Sequence, residues 1–334
     1  TESLETITDK LDAIAENKSE SDYKEAIARI ETAEESLEDV RETNAEHDFT
    51  EIEKRVAEQQ TRCEQLFEEI QEAHFPQRLI PETIPSPERV SLSYDDIETS
   101  THLGSGGNAD VYKATGGEDD QFTLAVKEPN VSETIDNSVM DEMMREAETW
   151  QQLDTHDHIV SVIGYGSTPL PWIGMEYMDG GDLSQRIDEM EFEQKLWTAI
   201  TVSKGVRYAH SRGIAHFDIK PRNILFRSLE DGWDIAKVGD WGLSKQLLEH
   251  SKSVEGLTPE YAAPEQFDTE EYGGTDTVTD VYQLGAVFYE LFTGRPPFEG
   301  QTFQVINKIQ SEEPMPPSEV ADELPAELDE ILLT

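Results

Sequence analysis

The sequence predicts an α+β protein: an all-α helical region in front, followed by a strand-rich part and then a mainly helical one. Three observations carry that expectation. Residues 1–74 contain neither Gly nor Pro and repeat apolar residues at three- and four-residue spacing. From Tyr94 the pattern changes to short apolar runs broken by glycine turns, which reads as antiparallel strands. Beyond about residue 184 long helical stretches take over.

The leading region carries three apolar stripes. They are Leu4, Ile7, Leu11 and Ile14; then Tyr23, Ile27, Ile30, Leu37 and Val40; then Phe49, Ile52, Val56, Cys63, Leu66 and Ile70. Polar breaks at 17–22 and 43–48 separate them, with Ser21 or Asp22 and Asp48 placed to cap the free amides of a new helix. An antiparallel three-helix bundle within one chain and a segmented coiled coil between two chains both satisfy the stripes, and the two breaks favour the bundle. In either case the stripe is core first and a surface for self-association or partner docking second. Residues 75–93 hold Pro76, Pro81, Pro85 and Pro87, which cannot continue a helix, so this segment is a linker.

In the next part, Leu103-Gly104-Ser105-Gly106-Gly107-Asn108-Ala109-Asp110-Val111 reads as strand, glycine turn, strand. Glycines without Cβ let backbone N–H groups approach a polyphosphate closely. The strand Leu124-Ala125-Val126 ends in Lys127, and a helix from Asp141 to Leu153 offers that lysine carboxylates. Glu146 and Glu148 do not share a helix face, whereas Glu142, four residues before Glu146, competes with it. Val160–Ile163 and Trp172–Met175 read as short strands, and residues 184–211 as two helices. An apolar strand at 235–238 then leads into Gly239-Asp240-Trp241-Gly242.

The charge balance is extreme, with 72 acidic against 26 basic residues and a net charge of −46. The acids are spread through apolar-patterned segments and do not collect in one tail. Such a protein repels itself in dilute buffer, but at molar salt the Debye length falls to about 3 Å and the repulsion is screened. The composition therefore points to a salt-rich cytoplasm, as in extreme halophiles. No basic stripe is present to neutralise phosphates, which argues against nucleic acid as a partner. One cysteine excludes an internal disulfide, and no run of about 20 apolar residues is available to span a bilayer.

The loop from Gly213 to Asn223 concentrates the chemistry. Asp218, Lys220 and Asn223 stand at offsets of two and five, among Ile214, Ala215, Phe217, Ile219 and Pro221, which would fix the loop on a core. Where a phosphoryl group moves, a carboxylate can take the proton of an attacking hydroxyl, an ammonium can neutralise phosphate charge, and an amide oxygen can hold a metal ion.

The run His216-Phe217-Asp218-Ile219-Lys220-Pro221-Arg222-Asn223 resembles the catalytic loop of eukaryotic-type (Hanks-type) Ser/Thr protein kinases. That resemblance implies a bilobal protein-kinase fold over residues 94–334. An N-lobe at 94–175 would hold an antiparallel sheet and the family's helix C, and a mainly helical C-lobe at 179–334 would stop short of the family's last helices. It implies ATP as cosubstrate, Mg²⁺ (with Mn²⁺ as the alternative ion) as cofactor and proteins as substrates, while the single cysteine and the acidic charge balance fit a cytoplasmic location. Leu103, Gly104, Ser105, Gly106, Gly107, Ala109 and Val111 match the glycine-rich loop, with Ala109 in place of its third glycine. Ala125 lines the nucleotide site, Met175 holds the gatekeeper place, the Glu176 and Met178 backbones meet adenine, and Asp182 meets the ribose. Lys127, held by Glu146, places the α- and β-phosphates, Asn223 and Asp240 hold the metal, and Asp218 and Lys220 serve the transfer. Lys220 two places after Asp218 fits the Ser/Thr type. Thr258 to Glu265 resembles the end of the activation segment and Asp280 the start of helix F, two elements that set protein kinases apart from kinases of small molecules. A pseudokinase scaffold that binds nucleotide and docks partners through residues 1–74 is the alternative.

Two departures from the family pattern bear on mechanism. Phe217 replaces the arginine that pairs with a phosphorylated activation loop, so a phosphate on Ser251 or Ser253 has lost its main receptor. Trp241 replaces the family's phenylalanine and, with Trp150, predicts a bulky column behind the site.

Overall fold

The computed structural model describes residues 80–81, 83–85, 87, 92–105, 109–117, 122–130, 137–153, 155–230, 232–241, 258–321 and 324–333, without the side chains of 137–139, 142 and 327. The stripes of residues 1–74, the Gly106–Gly107 turn, Gly242, Ser251, Ser253 and the Glu142 side chain lie outside the described residues.

Five antiparallel strands form the first lobe: β1 (Ile97–Ser105), β2 (Ala109–Gly116), β3 (Phe122–Pro129), β4 (Val162–Gly166) and β5 (Trp172–Glu176). Their order is β1-β2-β3-β5-β4, so β3 is central. Side chains alternate across a strand, and that alternation decides where Lys127 goes. Leu124 and Val126 pack with Ala114 and Trp172 under Leu92, Tyr94 and Ile97 on one face. Ala125 and Lys127 take the opposite face, where Ala125 joins Ile173 and Met175 in the main core. Helix α1 (Asn137–Gln151) packs on β4 and β5. It buries Met143, Glu146, Ala147 and Trp150, an i, i+3, i+4, i+7 face, while Glu148 is exposed.

The second lobe starts differently from the expectation of two helices over 184–211. Two 3-10 turns, Leu183–Gln185 and Ile187–Glu189, precede one helix, α2 (Phe192–His210). Tertiary contacts override local helix preference there. Gly180 N donates to Phe226 O at 2.8 Å, Phe226 N to Gly181 O at 2.9 Å, and Arg186 pairs with Asp234 at 2.5 Å. These bonds hold the segment against the ribbon of β6 (Ile224–Arg227) and β7 (Ile235–Val238). A Cβ at Gly205 would lie 2.9 Å from the His158 carbonyl oxygen, so only glycine lets α2 sit this close to the chain between α1 and β4.

Short helices α3 (Pro264–Phe267) and α4 (Thr269–Tyr272) precede α5 (Thr277–Thr293), the axis of the lobe. Asp276 caps α5, accepting from Val278 N at 2.7 Å, and Gly294 ends it in the left-handed region at φ 77°. Leu284, Val287, Leu291 and Phe292 of α5 belong to the same core as Trp150, Val160, Val238 and Trp241. Helices α6 (Thr302–Ser311), α7 (Pro317–Val320) and α8 (Glu327–Leu332) complete the described part. Among the described residues no helix is long and apolar enough to cross a membrane.

Candidate active site

The strand alternation that turns Lys127 inward delivers it to two carboxylates. Lys127 Nζ lies 2.7 Å from Glu146 Oε1 and 2.6 Å from Asp240 Oδ1. Burial alone would push this lysine down, but Asp240 and then Glu146 more than reverse that, and its pKa is raised above the ordinary value. Partial burial would likewise raise Asp240, yet the Lys127 ammonium wins and holds it below the usual carboxylate range. Both partners are therefore charged at neutral pH. Of the three acids expected around α1, the structure brings Glu146 to Lys127 and leaves Glu148 outside.

The β6–β7 ribbon brings Asn223 and Asp240 together. Asn223 precedes β6, Asp240 follows β7, and Gly239 N donates to Asn223 O at 2.9 Å across the open end. Asn223 Nδ2 donates to the Asp218 carbonyl at 2.7 Å, and a carbonyl can only accept, so the amide oxygen is turned the other way. Asp240 spends Oδ1 on Lys127 and keeps 38% of its side chain exposed. An amide oxygen and a second carboxylate oxygen, from residues whose strand ends meet, are hard all-oxygen donors of the kind that suits Mg²⁺ with several retained waters.

Asp218 and Lys220 form an ion pair at 2.7 Å, with side chains 29% and 20% exposed, so both remain open to a ligand. The loop under them is fixed by its backbone. Asp280 accepts from His216 N and Phe217 N, each at 2.7 Å, and so braces the loop from α5. Buried His216 donates from Nε2 to Gly239 O at 2.8 Å and accepts on Nδ1 from Asp218 N at 3.2 Å, tying the loop to the ribbon end. Phe217 and Asp240 both have φ of 62°, a left-handed conformation that costs non-glycine residues on the order of 1–3 kcal/mol and persists only where surroundings impose it.

The expected tryptophan column takes another form. Trp150 and Trp241 are both fully buried, and each indole donates to backbone at the same junction. Trp150 Nε1 reaches Val160 O at 2.7 Å and Trp241 Nε1 reaches Val238 O at 3.1 Å, while Val160 N donates to Val238 O at 3.0 Å. The ring packed against Trp241 is His216, tilted 59° to it with centroids 4.8 Å apart.

The Glu176 side chain is buried and accepts from Lys237 Nζ at 2.8 and 3.2 Å and from Arg227 Nη1 at 3.0 Å. Asp182, the expected ribose ligand, here caps the turn that follows it. Its carboxylate accepts from Ser184 N at 3.0 Å, from the Ser184 hydroxyl and from Gln185 Nε2 at 2.7 Å. Around the expected nucleotide site, Leu103 is exposed, Val111 is half-buried, and Ala109, Ala125, Met175 and Met178 are buried. Gly104 and Ser105 end β1, and Ser105 pairs with Asp110 of β2. Near the activation-segment end, the Thr279 hydroxyl donates to Glu265, and the Tyr261 hydroxyl donates to Glu290 at 2.5 Å. The Gln266–Gln283 pair behind Phe217 was not anticipated.

Comparison with known proteins agrees with this geometry. The protein kinase domain family matches residues 97–331. A probable serine/threonine-protein kinase of Corynebacterium efficiens is 33% identical over 248 residues, covering 69% of this chain and 36% of that protein. The serine/threonine-protein kinase PknB of Mycobacterium leprae is 30% identical over 254 residues, covering 72% and 39%. A probable serine/threonine-protein kinase of Clostridium perfringens is 32% identical over 240 residues, covering 69% and 34%. The chain thus spans less than two fifths of the length of these curated relatives. With more than two thirds of its residues matched and the lysine, glutamate, aspartate and asparagine assembled as above, the chain belongs to the protein kinase domain family.

Proposed function

We propose that this chain transfers the γ-phosphoryl group of ATP to serine or threonine hydroxyls of proteins, itself among them. The observation that carries the reading is Lys127, bonded at once to Glu146 and to Asp240, whose neighbour Gly239 is bonded to Asn223 and His216 of the loop that carries Asp218 and Lys220. Asp218 orients the acceptor hydroxyl and takes its proton. Lys220, already 2.7 Å from Asp218, meets the charge of the γ-phosphoryl group as the hydroxyl attacks. Lys127 places the α- and β-phosphates. The Glu176 and Met178 backbones meet adenine beside Leu103, Val111, Ala125 and Met175, and Asp182 meets the ribose once it gives up its local turn bonds. Asn223 Oδ1 and the second oxygen of Asp240 are the groups that would hold Mg²⁺, or Mn²⁺ in its place. When bound, that ion supplies neutralisation of phosphate charge. Catalysis of this kind is positioning and electrostatics, with turnover of about 1–100 s⁻¹. The −46 charge suits a salt-rich cytoplasm of an extreme halophile, and residues 1–74 are the segment for self-association or partner docking.

The test is transfer of labelled γ-phosphate from Mg-ATP in molar KCl, comparing the chain with Asp218→Asn. Incorporation into the chain or a generic protein acceptor, lost in the variant, is the expected result. No incorporation by either chain, with ATP still raising the melting temperature, would mark a nucleotide-binding scaffold instead.

A further inference from the structure

Two buried glutamines stand where the catalytic loop, the end of the activation segment and α5 meet, and the transfer chemistry above uses neither. Gln283, on α5, is 2% exposed and Gln266, in α3, is 8% exposed. Gln283 Oε1 accepts from Ile219 N at 2.8 Å. Its Nε2 donates to Phe217 O at 3.0 Å and to Gln266 Oε1 at 2.9 Å. Gln266 Nε2 donates to the same Phe217 O at 2.9 Å, and its Oε1 also accepts from Ala263 N at 2.9 Å. The Phe217 carbonyl therefore fills both lone pairs from two different helices. The peptide groups on either side of Asp218, the carbonyl before it and the amide after it, are held by one amide pair.

An apolar pair would fill this space without the cost of desolvating two amides. What the glutamines add is direction, since each bond fixes a peptide plane next to the base. They also tie that plane to Ala263, so the acceptor-side segment and Asp218 move as one body. Residue 217 has an apolar side chain, and its backbone does the fixing, its carbonyl through the two glutamines and its amide through Asp280.

We propose that Gln266 and Gln283 are positioning residues that lock Asp218 to the acceptor-side segment 263–266 through uncharged hydrogen bonds. This inference rests on the phosphotransfer reading. It predicts that the pair acts on the rate of transfer and leaves nucleotide binding alone. The bonded atoms lie on the Asp218 side of the site, and none belongs to Lys127, Glu146 or residues 176–178.

The experiment uses the full chain in molar KCl, with labelled Mg-ATP and dephosphorylated casein as acceptor. Gln266→Met, Gln283→Met and the double variant keep side-chain length and remove the bonds. Each single variant should lose about tenfold or more in kcat, with the double variant no more than about twofold below the weaker single, because groups acting as a unit are not additive. Dissociation constants for a fluorescent ATP analogue with Mg²⁺ should stay within about twofold of the parent chain. Unchanged kcat in variants that bind nucleotide overturns the proposal. Parallel loss of kcat and nucleotide binding also overturns it, since that marks a role in folding alone. A parent chain that binds ATP and transfers nothing overturns the phosphotransfer reading, and this inference with it.

Discussion

The ammonium of Lys237 sits 2.8 and 3.2 Å from the two carboxylate oxygens of Glu176, and both side chains are all but sealed from solvent. Arg227, on the neighbouring strand, reaches the same carboxylate at 3.0 Å. One acid at the end of β5 thus clamps both strands of the ribbon that presents Asn223 and Asp240. A buried pair broken on one side leaves an uncompensated charge, whereas removing both charges together does not. Lys237→Met should therefore lower stability, though by less than the about 3–5 kcal/mol of a wholly orphaned charge because Arg227 still meets Glu176, and Glu176→Gln combined with Lys237→Met should recover much of that loss. Denaturant melts in molar KCl check it; equal losses in the single and double variants would show that the clamp is not the cause.

Lys127 has a different kind of partnership, because its two acids come from different lobes. Lys127→Met would leave Glu146 and Asp240 facing the same space without a cation, and Asp240 would lose the charge that holds its pKa down. Phosphate transfer should fall by about 10²–10³-fold, the usual cost of removing one preorganised electrostatic contact. Lys127→Arg should not restore it, since a planar guanidinium does not reproduce two contacts of 2.6 and 2.7 Å made by a single nitrogen in a site 6% exposed. Initial rates with labelled Mg-ATP check both variants.

The parts of this site that were legible in the sequence are those with a local signature. Asp218, Lys220 and Asn223 lie in one loop, Lys127 ends an apolar strand, and helix periodicity separates Glu146 from Glu148. Asp182 could have been read further, because Asp182-Leu183-Ser184 is a capping pattern in which the carboxylate turns back on the next amides. The two 3-10 turns before α2 were hidden by Arg186, whose helix preference yields to its ion pair with Asp234, 48 residues away. Gln266 has a local role, accepting from Ala263 N three residues before it as a helix cap does, but nothing local points to its bond with Phe217, 49 residues away. The bonds of Gln283 to Phe217 and of Glu176 to Arg227 span 66 and 51 residues, and a polar residue gives no periodic sign of what it will bond at that distance.

Phe217 makes a prediction about regulation. Its side chain is buried and apolar, so it cannot receive a phosphate, and its backbone is fixed by Asp280, Gln266 and Gln283. Ser251→Ala with Ser253→Ala should leave the rate of transfer within about twofold of the parent chain, because no arginine at position 217 couples a phosphate to the loop. Phosphatase treatment of the parent chain should be equally without effect. Loss of activity in either experiment would require another basic receptor for the phosphate.

His158 gives the described domain a specific sensitivity to acid. The ring is buried, donates from Nδ1 to Ala236 O at 3.1 Å and lies beside His156 and Trp197. Burial pushes its pKa from the ordinary 6.5 down to about 4, against the Ala236 bond and with help from His156, Lys204 and Lys237. An unfolded chain takes up a proton below about pH 6.5 that the folded chain refuses until about pH 4, so protons favour unfolding across that window. The stability is complete above pH 6.5 and declines by up to about 3 kcal/mol as pH falls towards 4. His158→Gln keeps a donor for Ala236 and removes the titration. Between pH 7 and pH 5, urea melts in molar KCl should show the variant losing about 2 kcal/mol less than the parent chain. The comparison is made between the two chains because the many carboxylates titrate in both, and only the difference belongs to His158. An identical decline in both would mean that the folded ring accepts its proton near the ordinary value, and that the Ala236 bond outweighs burial.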